Sequence, residues 1–580
     1  MKKIIFYILI CIIVIISTIG CRRREAAEEA EYDILLMNGN YVVHGGLYIP
    51  HRVEIYQNLA LLGKVWGFVK YTHNSFITGQ KNWDAELLYL IPKVLDGGDI
   101  RNILYKWFTM LGDDGYVENV LHLESYRLIA DLSWINYYYL GPITSNLLRF
   151  NGVTSTDRSS APFFFGSTGV LDFSNQDIRP FMNFADAGER LLGLYRLWNA
   201  MNYFFPHLDV LDVNWNDLLL EFIPKMLEGT DRHSYELTLA GLAHHLHDAS
   251  IWFEGTSFFT NKFGRYIAPI ALIVAEGRIV VSDVYEFAAR DAMPQRGDIL
   301  LAVNGRVVID IINEKSLFFS YPNVEKTMAF FTGRWAGHNR PSFPNVLTAH
   351  ERFMYIDVMR GDFGMPIRIN AFTHPFHTRS TYSHTILEKN IGLINPWIQE
   401  DVNYIMNYFA STDGLIIDLR QWIPQDFIPA ISQYLLNEPL FYRILSKPSH
   451  IFPGKRFDIL KYNCIAQDPY TFIYEGPVVL LIDENSFGIN ETLIMSLSAV
   501  QNVTLIGTNT MGSVGSVSSL PLPGRITMWF QSIGTYTPEG GHTFRIGLTP
   551  DINVNRTIRG ITEGRDEIME TAIRFILGEK

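Results

Sequence analysis

Three histidines and an aspartate that are close together in the sequence are the first candidates for chemistry. His244 and His247 are three residues apart, so on a helix they share a face, with His245 and Asp248 beside them. Imidazole and carboxylate groups bind zinc, but the chain has no His-Glu-x-x-His pattern and no obvious distant ligand. We therefore expect hydrogen-bonded or solvated helix histidines and no metal site. Nothing in the sequence indicates another cofactor.

The composition is typical of a globular protein with a large core. The 580 residues include 48 lysines and arginines against 60 aspartates and glutamates, a net charge of −12, and 48% are hydrophobic. A nucleic-acid-binding protein normally has a basic surface, so this charge balance argues against one. The only cysteines are Cys11, Cys21 and Cys464, which excludes a disulfide-stapled scaffold. We expect Cys464 to be a buried, inert thiol.

The N-terminal segment has the pattern of an export signal. A short basic start is followed by an apolar run over residues 4–16 and then by Ser-Thr-Ile-Gly-Cys. This run is too short to span a bilayer. The segment resembles a bacterial lipoprotein signal, which implies that Cys21 becomes the lipidated first residue of the mature chain. A plain signal peptide or an uncleaved anchor is the alternative. We expect an exported cell-envelope lipoprotein, facing the periplasm or the cell surface on a charged tether.

One segment of the chain recurs further along the sequence without a gap. The sequence separation between Trp66 and Trp198 is the same as that between the members of several other matched pairs. The matched pairs are Trp66 and Trp198, Tyr71 and Tyr203, Asn82-Trp83 and Asn214-Trp215, and Ile91-Pro92-Lys93 and Ile223-Pro224-Lys225. Each copy predicts two amphipathic helices, with Asn214 as the N-cap of the second helix in the second copy. Pro224 should kink or end that helix. We expect this unit to serve packing and not chemistry.

The period of the apolar residues changes twice after this unit. From residue 264 to about 373 the period approaches two, which predicts short strands such as 279–284. From about residue 384, apolar runs alternate with helical stretches. Residues 415–420 and 478–483 have the pattern of buried strands, and residues 398–409 and 491–500 that of helices. This alternation predicts an α/β layered core.

The β-rich stretch resembles a PDZ domain. A small-residue helix at 288–292 is followed by the Gly297-Asp298 turn and then by a strand that ends in Asn304-Gly305. PDZ domains bind a peptide as an extra strand along an open sheet edge. The resemblance implies that Gly264, Tyr266 and Ile267 lie in the carboxylate-binding loop, and these three are the predicted peptide-binding residues.

The segments in this order resemble the tail-specific, or carboxyl-terminal processing, serine peptidases and the related tricorn core. The motifs that carry the resemblance are residues 198–206, Asn214-Trp215, Leu246-His247-Asp248, Gly297-Asp298, residues 414–420, residues 481–487, residues 537–540 and residues 547–552. The family cuts peptides with an activated serine in a mixed α/β domain.

The resemblance implies a multidomain α+β fold. It has a duplicated N-terminal helical unit, a PDZ-like β-rich domain and a C-terminal α/β peptidase-like domain built as a ββα spiral. The predicted boundaries are 1–20 for the signal peptide, 21–55 for the tether and leading segment, 56–150 for the first helical unit, 151–185 for a connector, 186–263 for the second helical unit, 264–375 for the PDZ-like domain and 384–580 for the peptidase-like domain.

The catalytic positions that the resemblance implies carry the wrong side chains. The family nucleophile lies three residues before the glutamate that opens the following helix; that glutamate is Glu491, so the position is Gly488. The lysine of one branch corresponds to Ser513, and the histidine of the tricorn-like branch corresponds to Ser250. The glycine-rich oxyanion turn is replaced by residues 421–425, which include Pro424 and its missing N–H.

Other serines are weaker candidates for the nucleophile. Ser486 lies two residues before Gly488, but no lysine or histidine within residues 482–517 could activate it. We expect Ser486 to be a loop or helix-capping serine, and Ser513 and Ser516 to be turn serines.

The sequence leaves two functional hypotheses. The first is a membrane-anchored, catalytically inactive peptidase homologue that binds peptides or unfolded envelope proteins. The alternative is an active serine endopeptidase of envelope proteins with a relocated nucleophile, of which Ser486 is the first candidate. The sequence does not identify the partner or the oligomeric state.

Overall fold

The computed structural model describes residues 49–112, 126–138, 140–150, 157–167, 169–284, 294–332, 345–371, 382–438, 440–449, 452–463 and 472–579. Cys21 with the signal and most of the tether, Cys464, and the predicted helix at 288–292 lie outside these residues. No helix in the described part of the chain combines the length and apolar character needed to cross a bilayer.

The described residues form helices along the whole chain. In chain order they are α1 (Ile49–Thr72), α2 (Asn74–Ile77), α3 (Trp83–Leu95), α4 (Ile100–Leu111), α5 (Trp134–Tyr137), α6 (Pro142–Phe150), α7 (Ala187–Phe204), α8 (Trp215–Glu228), α9 (Arg232–His244), α10 (Phe258–Phe263), α11 (Val308–Ser316), α12 (Val324–Phe331), α13 (Val402–Tyr408), α14 (Phe427–Leu435), α15 (Ile489–Leu497), α16 (Ile558–Glu563) and α17 (Glu567–Ile576).

The strands are concentrated in the second half of the chain. They are β1 (Leu128–Ile129), β2 (Phe164–Phe165), β3 (Leu171–Asp172), β4 (Trp252–Glu254), β5 (Tyr266–Ile267), β6 (Ile270–Ala275), β7 (Arg278–Val284), β8 (Ile299–Val303), β9 (Arg306–Val307), β10 (Thr348–Ala349), β11 (Phe353–Arg360), β12 (Phe363–Asn370), β13 (His384–Leu387), β14 (Ile391–Ile394), β15 (Gly414–Asp418), β16 (Leu440–Pro448), β17 (Lys455–Asn463), β18 (Val478–Ile482), β19 (Val503–Gly507), β20 (Gly515–Leu522), β21 (Ile526–Tyr536) and β22 (Ile552–Asn553).

The duplicated segment forms the same local structure twice. In the first copy the indole Nε1 of Trp66 donates to the carbonyl of Trp83 at 2.8 Å. In the second copy Trp198 donates to the carbonyl of Trp215 at the same distance. Asn82 and Asn214 each cap the following helix through the side-chain oxygen. The repeat predicted from the sequence is therefore confirmed.

The two copies pack with equivalent positions in contact across α1 and α7. Gly63 lies against the ring of Tyr195, and a Cβ added at Gly63 would be 2.7 Å from ring carbons. The Tyr195 hydroxyl donates to the carbonyl of Leu59 at 2.8 Å. Gly67 similarly lies against the side chain of Asn199. The first copy thus has glycine where the second has a large side chain, and this difference permits the close approach of the two helices.

Pro224 does not end its helix, so that part of the prediction is wrong. Helix α8 continues to Glu228, with Pro224 inside it, and α3 continues past Pro92 in the same way. The proline removes a single hydrogen bond, and Leu218, Leu219 and Met226 are buried on the same helix. This packing holds the helix together beyond the proline.

The β-rich stretch has the predicted strands together with two helices. Its sheet has the order β12-β11-β8-β7-β6, with β9 paired to β8. The predicted strand 279–284 is β7, and β8 ends at the Asn304-Gly305 turn, where both residues have positive φ. Helices α11 and α12 interrupt the period-two pattern, and Ile311, Ile312 and Phe331 bury their side chains in the same core.

The C-terminal part is built on a sheet of order β13-β14-β15-β18-β19-β22. All neighbours are parallel except β13 and β14. Helices α13, α14 and α15 pack on one face and α17 on the other. The predicted strands at 415–420 and 478–483 are confirmed as β15 and β18. Helix α13 begins at Val402 and not at residue 398, because Asp401 caps it by accepting from the N–H of Asn403.

A second C-terminal sheet joins the helical unit to the rest of the chain. Its order is β1-β17-β16-β21-β20, and β4 pairs with β21. Leu520, Leu522 and Ile526 of the β20–β21 hairpin belong to the same apolar core as the duplicated helices. The helical unit and this hairpin therefore share one core.

One buried ion pair joins the two copies. Arg196 and Asp84 are 0% and 3% exposed, and the Arg196 guanidinium contacts the Asp84 carboxylate and donates to the carbonyl of Asp177 at 2.6 Å. Replacing Arg196 by methionine leaves the Asp84 carboxylate buried without its cation. We expect the free energy of unfolding to fall by about 3–5 kcal/mol.

Chemical denaturation in urea measures this change. The control is Arg559→Met, which breaks the pair between Arg559 and Glu563, whose side chains are 85% and 40% exposed. Its effect should stay below about 1 kcal/mol. Equal effects of the two substitutions would contradict the structural role of the buried pair.

Candidate active-site cleft

The loop that leaves β18 brings Gly488 to the start of α15. Gly488 is the N-cap of this helix, with φ 59° and ψ −106°, a left-handed region that side chains rarely adopt. A Cβ built on Gly488 meets no atom within 4 Å. The position predicted for the nucleophile therefore faces open space and carries no functional group.

Glu491 organises the backbone around Gly488. Its buried carboxylate accepts from the N–H groups of Gly488 at 3.0 Å, Gly512 at 2.7 Å and Ser513 at 2.9 Å. The Thr510 hydroxyl donates to it at 2.6 Å. Burial raises the pKa of Glu491, and these hydrogen bonds oppose the rise. The carboxylate thus ties the 510–513 loop to the first turn of α15.

Asp248 brings together Ser250 and Ser513, the two serines predicted to occupy the family base positions. The buried Asp248 carboxylate accepts from the Ser250 hydroxyl at 2.8 Å and from the Ser250 N–H at 2.9 Å. The Ser250 hydroxyl donates to Oδ2, whereas the Ser250 N–H and the Ser513 hydroxyl both donate to Oδ1. Burial raises the pKa of Asp248, while the hydrogen bonds from Ser513 and Ser250 lower it. Both hydroxyl protons are therefore directed at one carboxylate.

Gly488, Ser250 and Ser513 line a single cleft of about 1130 Å³. Most of the wall is apolar or aromatic, and β20 contributes residues 515–517. The described residues that line the cleft are Val170, Ala249, Ser250, Ile251, Trp252, Tyr321, Phe330, Trp422, Gln425, Asp426, Ile428, Pro429, Tyr442, Arg443, Phe487, Gly488, Ile489, Thr492, Ser513, Gly515, Ser516 and Val517.

This part of the chain matches a known family model. Residues 443–554 match the model of peptidase family S41. The chain contains a peptidase family S41 domain. The carboxy-terminal-processing protease of Bartonella bacilliformis (strain ATCC 35685 / KC583 / Herrer 020/F12,63) is 24% identical over 230 residues, which cover 36% of this chain and 52% of that protein. The chain thus spans about half the length of the curated relative it matches.

Solved structures support the same fold. The structure of mature CPAF complexed with lactacystin superposes with a TM-score of 0.52 at 14% identity, over 68% of this chain and 99% of that chain. The crystal structure of mature CPAF gives a TM-score of 0.52 at 15% identity, over 68% of this chain and 98% of that chain. The mixed α/β multidomain fold expected from the sequence is therefore confirmed.

Ser486 is fully buried in the S41 domain. Its hydroxyl donates to the carbonyl of Leu419 at 2.7 Å and accepts from the N–H of Asp483 at 3.1 Å. This serine therefore links the loop that follows β18 to the residue that follows β15. Ser516 lines the cleft and is exposed.

Asn490 fixes the backbone at the start of residues 421–425, the segment predicted in place of the oxyanion turn. The side-chain amide of Asn490 donates to the carbonyl of Leu419 at 2.8 Å and to that of Gln421 at 2.6 Å. Pro424 follows and has no N–H. Trp422 and Gln425 of this segment are exposed and line the cleft.

His244 and His247 are hydrogen-bonded, as expected, but helix α9 ends at His244, so the prediction that all three histidines lie on a helix is wrong. The Nδ1 atoms of His244 and His247 lie 2.8 Å and 3.1 Å from the carbonyl oxygens of Phe319 and Tyr321. Burial lowers the pKa of His247, and burial with the neighbouring His244 lowers the pKa of His245 to about 4. Among the described residues, no three His, Cys, Asp or Glu side chains form a group that could hold a metal ion.

The predicted peptide-binding loop lies outside this cleft, and its strand is paired within the chain. In β5, Tyr266 pairs with Ala349 and Ile267 pairs with Thr348 of β10. Gly264, with φ 91°, packs against the backbone of Ala349. Peptide binding at Gly264, Tyr266 and Ile267 remains a prediction, and an incoming strand would compete there with β10.

Two basic residues near the cleft are not apparent from the sequence. Lys326 of α12 donates to the carbonyls of Met511 at 2.9 Å, Arg545 at 3.0 Å and Ile546 at 2.9 Å, and burial lowers its pKa to about 8. It connects the β-rich domain to the 510–513 loop. Arg443 lies on β16 in the cleft wall. Neither belongs to a recognisable motif, since each acts through contacts that are distant in sequence.

The Glu491 network predicts a specific loss of order. In Glu491→Gln, one acceptor oxygen becomes an NH2 group, so some of the four donors lose their partner. We expect the free energy of unfolding to fall by about 2–3 kcal/mol. Amide hydrogen exchange at Gly512 and Ser513 should accelerate more than exchange in the strands of the central sheet.

The control is Glu563→Gln, which alters an exposed carboxylate in α16. This variant should unfold at the wild-type urea concentration. Unchanged exchange at Gly512 and Ser513 in Glu491→Gln would show that Glu491 does not hold the loop.

Proposed function

We propose that the S41 domain of this chain is catalytically inactive and binds peptides or exposed segments of unfolded envelope proteins in its cleft. The observation that carries the proposal is the pairing at Asp248. Ser250 and Ser513, which occupy the family base positions, both donate their hydroxyl protons to this carboxylate. Gly488 provides no nucleophile beside them.

Serine attack requires a base that removes the hydroxyl proton as the new bond forms. A carboxylate is a weak base for a serine hydroxyl, and Asp248 is divided between two such hydroxyls and the Ser250 N–H. The Ser486 hydroxyl donates a hydrogen bond to a backbone carbonyl, which is too weak a base to remove the hydroxyl proton. These contacts favour structural roles for all three serines.

The cleft nevertheless keeps features that suit an extended peptide. Its volume of about 1130 Å³ exceeds the range of a typical small-molecule pocket. Strand β20 lies at the end of its sheet, and its residues 515–517 line the cleft. A peptide could add to this edge by backbone hydrogen bonds, with apolar side chains in the aromatic wall.

Export and anchoring form part of the proposal. The carboxy-terminal-processing protease relative and the signal-like N-terminal segment favour an envelope location. Cys21 would carry the lipid that holds the protein at a membrane surface. Labelling of cells with a fatty-acid analogue should mark the wild-type chain and not Cys21→Ala.

Activity-based labelling tests the main proposal. We expect the chain of residues 22–580 to show no labelling with a fluorophosphonate probe and no cleavage of an unfolded protein. Replacement of Gly488 by serine adds a hydroxyl in open space, and we expect this variant also to remain unlabelled, because no base faces the position. An active serine peptidase labelled in parallel is the positive control.

Labelling of the wild-type chain at one serine would overturn the proposal. The decisive variants are Ser486→Ala, Ser250→Ala, Ser513→Ala and Ser516→Ala. If one of them abolishes both labelling and cleavage, the nucleophile has moved to that position and the chain is an active endopeptidase.

A further inference from the structure

We propose that the cleft contains a carboxylate-binding subsite formed by Arg443 and the first turn of α15. The proposal rests on peptide binding in the cleft and specifies which peptides bind best. The ligand is a carboxylate group on the bound chain, either the side chain of an acidic residue or a free C-terminus.

Arg443 has one buried donor, Nε, without a hydrogen-bond partner. Its Nη1 has a long contact of 3.5 Å to the hydroxyl of Thr492. The guanidinium lies 5.0 Å from the ring centre of Tyr442, which also lines the cleft. Within the described part of the chain, no carboxylate lies within 4.0 Å of it. Burial lowers the pKa of Arg443, whereas the neighbouring Tyr442, through its charge and a side-chain hydrogen bond, opposes this change.

Three other arginines of the C-terminal part have carboxylate or carbonyl partners, although the Nε of Arg456, like that of Arg443, has none. Arg420 pairs with Asp418 and Asp566, Arg556 pairs with Asp483 and Glu484, and Arg456 donates to the carbonyls of Phe204, Ser446 and Ser532. A buried charge without a partner is unfavourable, so the solvent-facing side of Arg443 is a site where an anion would be stabilised.

Helix α15 begins beside the guanidinium, and the Glu491 carboxylate in its first turn offsets the partial positive charge of this helix end, so Arg443 is the cation of the subsite. The helix has nine residues and begins at Ile489, which lines the cleft together with Gly488 and Thr492. The N-terminus of a helix carries partial positive charge and attracts anions. Glu491 already satisfies the N–H of Gly488 from the buried side. The contact with Thr492 places the Arg443 guanidinium beside this first turn.

The composition of the cleft wall makes the subsite selective. Among its described lining residues, Arg443 is the only cation and Asp426 the only carboxylate. Asp426 is exposed to solvent, whereas the Nε of Arg443 is buried. A guanidinium binds a carboxylate through two parallel hydrogen bonds, and the surrounding aromatic groups strengthen them by excluding water. A peptide with a neutral amide in place of the carboxylate would leave the positive charge of Arg443 unpaired.

Three fluorescent decapeptides of one apolar sequence test the subsite. The first has a central glutamate and an amidated C-terminus, the second a central glutamine and a free C-terminus, and the third a central glutamine and an amidated C-terminus. Fluorescence anisotropy is measured with the chain of residues 22–580 at constant ionic strength. We expect at least one carboxylate peptide to bind about 10-fold more tightly than the third peptide.

Arg443→Gln should remove this preference, and Arg443→Lys should keep part of it. The matched control is Arg559→Gln, on the exposed face of α16, which should keep the full preference. Preference for the glutamate peptide identifies an acidic side chain as the ligand, and preference for the free C-terminus identifies the terminal carboxylate.

The urea unfolding midpoint of Arg443→Gln provides a second readout. Because the arginine lacks a strong partner, we expect the midpoint without peptide to equal or exceed that of wild type. A midpoint clearly below that of Arg559→Gln would assign Arg443 a structural role and overturn the subsite.

Different results would overturn the carboxylate subsite and peptide binding in the cleft. Equal binding of the three peptides to wild type, or an unchanged preference in Arg443→Gln, overturns the subsite while peptide binding stands. Absence of binding by all three peptides contradicts peptide binding in the cleft, and with it the subsite.

Discussion

The cleft depends on one buried carboxylate. Glu491 accepts from Gly488, Gly512, Ser513 and Thr510, and so holds the start of α15 against the 510–513 loop. Lys326 supports the far side of that loop from the β-rich domain. The four hydrogen bonds stabilise the buried carboxylate of Glu491. Without this carboxylate, the backbone N–H groups that donate to it would be left unpaired. The shape of the cleft is thus independent of whether catalytic groups line it.

The frame of the cleft therefore does not depend on the catalytic groups that the sequence resemblance implies. The groups that position the site are backbone atoms and the buried side chains of Glu491 and Asp248. Gly488 keeps the left-handed backbone of its position with no side chain to project. Ser250 and Ser513 fill their positions and share Asp248, so that no buried carboxylate is left without donors.

The duplicated helical unit contributes to the same frame from a distance. Its apolar core includes Leu520 and Leu522 of β20, and the other end of the same strand, residues 515–517, lines the cleft. The glycine at position 63 in one copy and the tyrosine at position 195 in the other show how duplicated helices have become complementary. The expectation that this unit serves packing agrees with its contacts, although none of these contacts tests a further role.

The sequence by itself determined the features that depend on near neighbours. The repeat, the Asn82 and Asn214 caps, the central strands and the start of α15 follow from apolar periodicity and from capping side chains within about four residues. The family motifs also located Gly488, Ser250 and Ser513 by counting along the chain. Local patterns failed at Pro224, where packing of the helix outweighed the missing hydrogen bond.

Only the tertiary structure decided which groups meet. Ser513 donates to a carboxylate 265 residues away, Lys326 reaches the carbonyl of Met511, and β10 pairs with β5. Arg443 became a candidate because its neighbours leave its Nε without a partner, a property that no window of sequence contains. Such contacts depend on how separate elements pack. The free energy of that packing is distributed over the whole core, so the pattern of a single segment cannot encode it.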